Sequence, residues 1–215
     1  MSQGTINSNQ RVGIFVDVSN LYHSAKNLYQ GRVNYAELIK TLVGGRQLIR
    51  AMAYVVKSEG VEPQHPATGG TRGRAAMNAT PTPAAGEDSA GFAGAGSSEA
   101  SFFEALEKAG FELRMKDLQI FAGGMKKGDW DVGIAVDAIR MMPSLDAIIL
   151  VTGDGDFVPL VNYLKWAGGC VVEVASFRRS ASSKIVEAAD EFINIETMPR
   201  AIMKTRYSRR SARRG

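Results

Sequence analysis

AIILVTGDGDF, at Ala147–Phe157, is the stretch whose reading decides the fold. Ile148 to Val151 form an unbroken apolar run without the alternation of a half-exposed strand. Such a run suits a central parallel strand covered on both faces. Thr152 and Gly153 end it, and Gly155 allows a tight turn between Asp154 and Asp156. Phe157 opens an apolar periodic segment, so Asp156 falls where a helix N-cap is expected. Two carboxylates therefore stand at the carboxyl end of a central strand, where open α/β sheets bind their ligands.

The same layout recurs near the start of the chain. Val12–Val16 is a second short apolar run that ends at Asp17 and is followed by a helical pattern over Leu21–Tyr29, with Ser19 or Asn20 as its cap. Tyr35–Val43 has helical spacing and stops at Gly44-Gly45, and Leu48–Val56 reads as a strand. Beyond the central stretch, Phe157–Ala167 is a helix, Cys170–Ala175 a strand, Ser176–Ser183 a polar loop, Lys184–Ala189 a short helix and Glu191–Ile195 a last strand. Strands alternate with helices, so the expected class is α/β with a mostly parallel sheet.

Between these halves the composition changes. Lys57–Ala100 holds Pro63, Pro66, Pro81 and Pro83 among many small residues and almost no large apolar ones. Such a segment buries too little surface to offset its ordering entropy and reads as a disordered insertion, with His65 solvated. Order is expected to resume at Ser101, with a helix to Gly110 and a strand at Phe111–Lys116. Asp117–Trp130 carries glycines at 123, 124 and 128 and reads as a mobile loop that delivers Lys126 and Lys127 beside Asp129 and Asp131. A helix over Val132–Met142 follows, with Asp131 in its first turn and Asp137 near its middle. Six residues is about 600° of helix, roughly 120° out of alignment, so both acids cannot point at one site. Asp131, at the positive helix end, is the better ligand, and Asp137 is left to orient a lysine, a water or a loop amide.

The 215 residues, 45% of them hydrophobic, suffice for one well-buried domain over 11–199, after a flexible stretch at 1–10. No apolar run approaches the roughly 20 residues of a membrane span, and the first ten residues lack a signal-peptide core. The single cysteine, Cys170, lies in an apolar run and reads as a buried structural thiol, consistent with a cytoplasmic setting. The net charge of +4 is uneven: residues 201–215 hold six Lys/Arg and no acid, which leaves −2 on the remainder. A basic tail from about residue 200 suggests polyanion contact.

Asp17, Asp131, Asp154 and Asp156 come together if the two acid-ended strands are neighbours. Taken singly, each fits an ordinary helix start. Jointly they require a cation, since each ionised carboxylate raises the pKa of the next. Oxygen donors without His or Cys select Mg²⁺ or Mn²⁺. Such an ion lowers the pKa of a bound water and neutralises phosphoryl charge. Lys126, Lys127, Arg178 and Arg179 are placed to hold a phosphate backbone, which together suits metal-assisted phosphodiester hydrolysis.

FVDVSNLY at 15–22, KKGDWDVGIAVDA at 126–138 and LVTGDGDFVPLV at 150–161 resemble the NYN domain in its LabA-like branch, part of the PIN-like nuclease group. The resemblance covers Arg11–Ile195 apart from the insertion. It implies a PIN-like three-layer α/β sandwich and Mg²⁺- or Mn²⁺-dependent ribonuclease activity on RNA, single-stranded in the first instance, with a homodimer left open. By motif, Asp17, Asp154 and Asp156 match the family's strand-end acids and Asp131 the acid at the helix start. Asn20 matches the polar position after the first acid, and Lys127 and Asp137 the lysine and second aspartate. A von Willebrand A-like domain would need serine where Leu21 stands, and a haloacid-dehalogenase-like phosphatase an acid where Ser19 stands. A non-catalytic RNA-binding regulator of the same fold is the remaining alternative, since phosphate contacts need no chemistry.

Overall fold

The structure, a computed structural model, describes residues 8–57, 96–120 and 126–204. The first half runs β1 (Arg11–Asp17), α1 (Val18–Tyr29), β2 (Gly31–Val33), α2 (Tyr35–Val43), β3 (Gln47–Lys57), α3 (Gly96–Lys108) and β4 (Glu112–Asp117). A small hairpin, β5 (Gln119–Ile120) and β6 (Lys126–Lys127), leads into α4 (Asp131–Met141). The second half is β7 (Ala147–Val151), α5 (Val158–Gly168), β8 (Val171–Ser176), α6 (Ser183–Ala188), β9 (Glu191–Asn194) and β10 (Ile202–Lys204).

Six strands form one sheet in the order β4-β3-β1-β7-β8-β9, every neighbouring pair parallel. The apolar runs of β1 and β7 lie side by side, Ile14 opposite Ile149 and Val16 opposite Val151. Because side chains alternate across a strand, these runs feed two separate cores. Ile14, Val16, Ile149 and Val151 pack with Leu21 of α1, Leu38 and Leu42 of α2 and Leu106 of α3. Phe15, Ile148 and Leu150 pack with Ile134 of α4, Leu160 and Leu164 of α5 and Ile185 of α6. The molecule is a three-layer α/β sandwich, and Val12–Val16 of β1 and all of β7 are buried because helices cover both faces.

From β1 the chain builds outward through β3 to β4. It then returns to the other side of β1 and builds outward again through β7, β8 and β9. The strand order reverses between β1 and β7. The crevice at such a reversal, beyond the carboxyl ends of the strands, is where doubly wound sheets bind ligands.

Several boundaries differ from the sequence reading. Lys57 is the last residue of β3 and Gly96–Ala100 belongs to α3, so helix begins before Ser101; residues 58–95 of the expected insertion lie outside the described residues. The stretch before Trp130, expected as loop, contributes β5 and β6, which pair Gln119 with Lys127. β2 and β10 were not anticipated: three residues each, they are too short to show a period, and they pair antiparallel away from the main sheet. β10 lies inside the stretch read as the basic tail, of which 205–215 are outside the described residues, as are 1–7. Cys170 is buried as expected, its thiol 3.4 Å from the Leu145 carbonyl. No helix of the described residues is long and apolar enough to cross a membrane.

At the opposite sheet edge one ion pair is enclosed. The Arg46 guanidinium donates to both oxygens of Glu173 on β8, which is 4% exposed, and to the carbonyls of Leu42 and Val43. Removing one partner of such a pair leaves an uncompensated buried charge, at about 3–5 kcal/mol. Arg46→Met is expected to lose about that much stability, measured by urea unfolding at neutral pH.

Candidate functional site

The acids at the strand ends are placed by backbone demands. Asp17 closes β1 and is itself the cap of α1, its Oδ1 accepting from the Asn20 amide at 3.0 Å. The cap is therefore Asp17 and not Ser19 or Asn20. Asp154 plays the corresponding part after β7: its Oδ1 accepts from the Asp156 amide at 2.9 Å and caps a short 3₁₀ turn, Gly155–Phe157. Asp156, expected as a helix cap, lies inside that turn, exposed, and α5 starts two residues later. The turn intervenes because its cap is already supplied by Asp154 and because Pro159, which lacks an N–H, sits in the first turn of α5.

Asn20 joins the two strand ends. Its Oδ1 accepts from the Gly153 amide at 3.0 Å, so the start of α1 is hydrogen-bonded to the loop after β7. Gly153 also lies against the loop after β8. A Cβ there would stand 2.8 Å from Ser176 Oγ and 3.1 Å from Ser180 O, a closeness only glycine permits. The Gly153 carbonyl in turn accepts from the Ser182 amide at 2.9 Å.

Asp131 arrives from the other side as the first residue of α4. The helix has no side-chain cap; the indole of Trp130 anchors it instead. Trp130 Nε1 donates to the Val55 carbonyl of β3 at 2.8 Å, and its ring packs edge-on against Tyr54, centroids 5.4 Å apart. Gly133, one turn on, has no side chain to displace that ring. Asp137 lies on a different face. It accepts from the Tyr54 hydroxyl at 3.0 Å and pairs with Arg114 at 3.3 Å, so its part is to fasten α4 to β3 and β4.

The electrostatics show that three of these acids sense one another. The Asp17 carboxyl is raised to about 6, by burial first; the Asn20 and Ser19 amides pull it down, and the charges of Asp131 and Asp154 push it up. Asp131 is also raised, by burial first and then by Asp129, Asp154 and Asp156, against a weaker pull from Lys116. Lys116 lies 4.9 Å over the Trp130 ring. Among the described residues, no lysine or arginine is a main influence on Asp17. A half-buried carboxylate facing like charges is the donor chemistry of a hard divalent cation. As the side chains stand, no three His, Cys, Asp or Glu among the described residues are grouped closely enough to hold an ion. The caps account for part of that spread, since Asp17 and Asp154 each direct an oxygen at a backbone amide.

The basic residues divide. Arg178 and Arg179 are exposed in the loop that packs on Gly153, with the Arg178 guanidinium 5.4 Å from the Phe192 ring and both backbone amides bonded to Asn194 and Glu196. Lys126 and Lys127 form β6; the contacts expected of their ammonium groups lie outside what the structure describes. Trp130 and Tyr54 were missed in the sequence. The signal was available in part: a tryptophan between two aspartates, followed three residues on by glycine.

Because the folded-state pKa of Asp17 lies above the ordinary carboxylate value of about 3.9, the native state holds a proton that the unfolded chain gives up. Its contribution is complete below about pH 4 and is lost as pH rises through about 6. In EDTA, Asp17→Asn is therefore expected to be more stable than the wild type at pH 7 by up to about 3 kcal/mol, with the gap closing towards pH 4. Urea midpoints across that range measure it; a gap independent of pH would contradict it.

The geometry accords with what the chain is similar to. The sequence matches the NYN domain over residues 11–196. A crystal structure of a protein of unknown function, VPA0982, from Vibrio parahaemolyticus superimposes with a TM-score of 0.65 at 26% identity, covering 89% of this chain and 96% of that one. No curated protein matches. A mostly parallel PIN-like sandwich, with acid-ended strands at its order reversal and a family match spanning nearly all the described residues, belongs to the NYN domain family of the PIN-like nuclease group.

Proposed function

We propose that the protein is a metal-dependent ribonuclease of the LabA-like NYN branch, hydrolysing RNA phosphodiester bonds at the pocket between β1 and β7. The observation that carries this reading is the hydrogen bond from Gly153 to Asn20, which locks the Asp17 and Asp154 strand ends together at the sheet's order reversal. Asp17, Asp131, Asp154 and Asp156 would hold Mg²⁺ or Mn²⁺. When bound there, the ion supplies phosphoryl charge neutralisation and acidifies a water.

The chain's own residues have distinct parts in this reading. Asp17, half-buried and raised to about 6 without a metal, would be ionised by a bound cation and serve as its ligand from the end of β1. Asp131 is held by the Trp130 anchor and sits at the positive end of α4. Asn20 fixes the loop that carries Asp154 and Asp156. Tyr54 and Asp137 fasten the helix that carries Asp131. Arg178 and Arg179, with Lys126 and Lys127, hold phosphates on either side of the scissile bond.

The second reading is an RNA-binding regulator that keeps the acid pocket without cleaving. It is favoured by one observation, the spread of the carboxylates as the side chains stand. One assay separates the two. Purified protein is expected to degrade single-stranded RNA with Mn²⁺ or Mg²⁺ and not with EDTA. Asp154→Asn should lower the rate at least about 100-fold, beyond what loss of an outer partner of a metal costs. Saturating Mg²⁺ should raise the melting temperature of the wild type and not of Asp17→Asn. RNA binding without cleavage under either metal would favour the regulator, and full activity in Asp154→Asn would mark a contaminating nuclease.

A further inference from the structure

Two neighbouring helices turn apolar side chains outward. On α4, Val132, Val136 and Ile139 stand at i, i+4 and i+7; on α5, Pro159, Tyr163 and Trp166 repeat that spacing. Such spacing puts each set on one helical face. All six are exposed, Val132 by 74% and Trp166 by 87%. The inward faces of the same helices are already used. Ile134 and Ala138 of α4, with Leu160, Val161 and Leu164 of α5, are buried in one core on one side of the sheet. The helices also meet where they end: a Cβ on Gly168, the last residue of α5, would stand 2.6 Å from the Cγ of Met142, the residue after α4. The two stripes therefore share one outer surface.

That surface is poor in free charge. Of the cations on the two helices, Lys165 is held by Asp190 at 2.9 Å and Arg140 lies 3.9 Å from Asp137. A nucleic acid or an anionic lipid surface would call for unpaired cations here. Two copies of an uncharged face meet without like-charge repulsion. The extent also fits. At their exposures the two valines, Ile139, Tyr163 and Trp166 present on the order of 600 Å² per copy, so a symmetric pair would bury about 1,200 Å², the lower end of stable interfaces. Residues 58–95 offer only Val61, Met77 and Phe92 as large apolar side chains, too few to cover two stripes.

We propose that the outer face of α4 and α5 is a homodimer interface, on which a second copy of the chain seats the same six side chains across a two-fold axis. Trp166, the largest and most exposed of them, is its anchor. Two helices from each copy then pack face to face, and i, i+4, i+7 is the spacing at which helix seams interlock. The interface goes beyond the reading of the pocket as an RNA-hydrolysing site and does not depend on it, since it uses none of the acids at the strand ends.

Sedimentation velocity of the full-length protein tests this. At micromolar concentration the wild type is expected as a dimer, twice the 23.1 kDa of the chain. Val136→Glu/Trp166→Glu should weaken association at least about 100-fold, since a two-fold interface carries each substitution twice. Far-UV circular dichroism should be unaltered, because both positions are exposed in the single chain. Should the double variant misfold, Tyr163→Lys decides the matter by weakening the dimer in the same direction. Met203→Glu, exposed on β10, should leave the dimer intact. Trp166 emission gives a second measure: on dilution of the wild type it should shift to longer wavelength, and Trp166→Phe, which leaves only Trp130, should lack the shift. A monomeric wild type, an undiminished dimer in the folded variants, or Trp166 emission that is shielded and indifferent to dilution would each overturn the interface. The last result would give the face to another part of the chain.

Discussion

Mutual repulsion among carboxylates at the junction of β1 and β7 is the constraint on which the rest of this structure depends. Asp17 is the last residue of a strand buried on both faces, and it cannot move away from the Asp131 and Asp154 charges without unpairing the sheet. Burial first, and those charges after it, raise its proton affinity. The surrounding architecture keeps those charges near one another: a hydrogen bond from the Gly153 amide to Asn20, an indole anchor at the start of α4, and a glycine against which the loop after β8 packs. A fold that concentrates like charge at the end of its most buried strands incurs a stability cost that a bound cation would relieve.

The same acids serve two physical demands. Asp17 and Asp154 terminate strands and cap the turns that follow, so they are explained locally without any ligand. What local capping does not explain is their convergence. Caps occur at every helix, and Asn34 caps α2 with no charge at all. Aspartates rather than asparagines at the two strand ends flanking the order reversal, with a third arriving on α4, add charge exactly where capping alone does not need it. Capping does not account for this excess, and Asp137, a structural partner of Tyr54, stands apart from those acids despite its membership of the same motif.

Much of this was legible in the chain. The apolar runs at 12–16 and 148–151 are continuous because parallel strands under two helical layers have no polar face, and that feature alone gives the α/β class. Helical spacing located all the long helices, and the 120° offset between Asp131 and Asp137 already separated their parts. Boundaries were less legible. The shift of a cap from Asn20 to Asp17, or from Asp156 to Asp154, turns on one backbone amide and leaves no trace in periodicity.

The sequence by itself determined which strands are buried, that acids stand at their carboxyl ends, and that those acids offer only oxygen as donors, because burial pattern and residue type are properties of the chain. The tertiary structure decided that β1 and β7 are neighbours, that Asn20 reaches Gly153, and that β10 returns to β2. Those are contacts between segments well over a hundred residues apart in the chain. Nothing in local propensity encodes them, and they follow only from how two half-sheets and their helices pack around one pair of central strands.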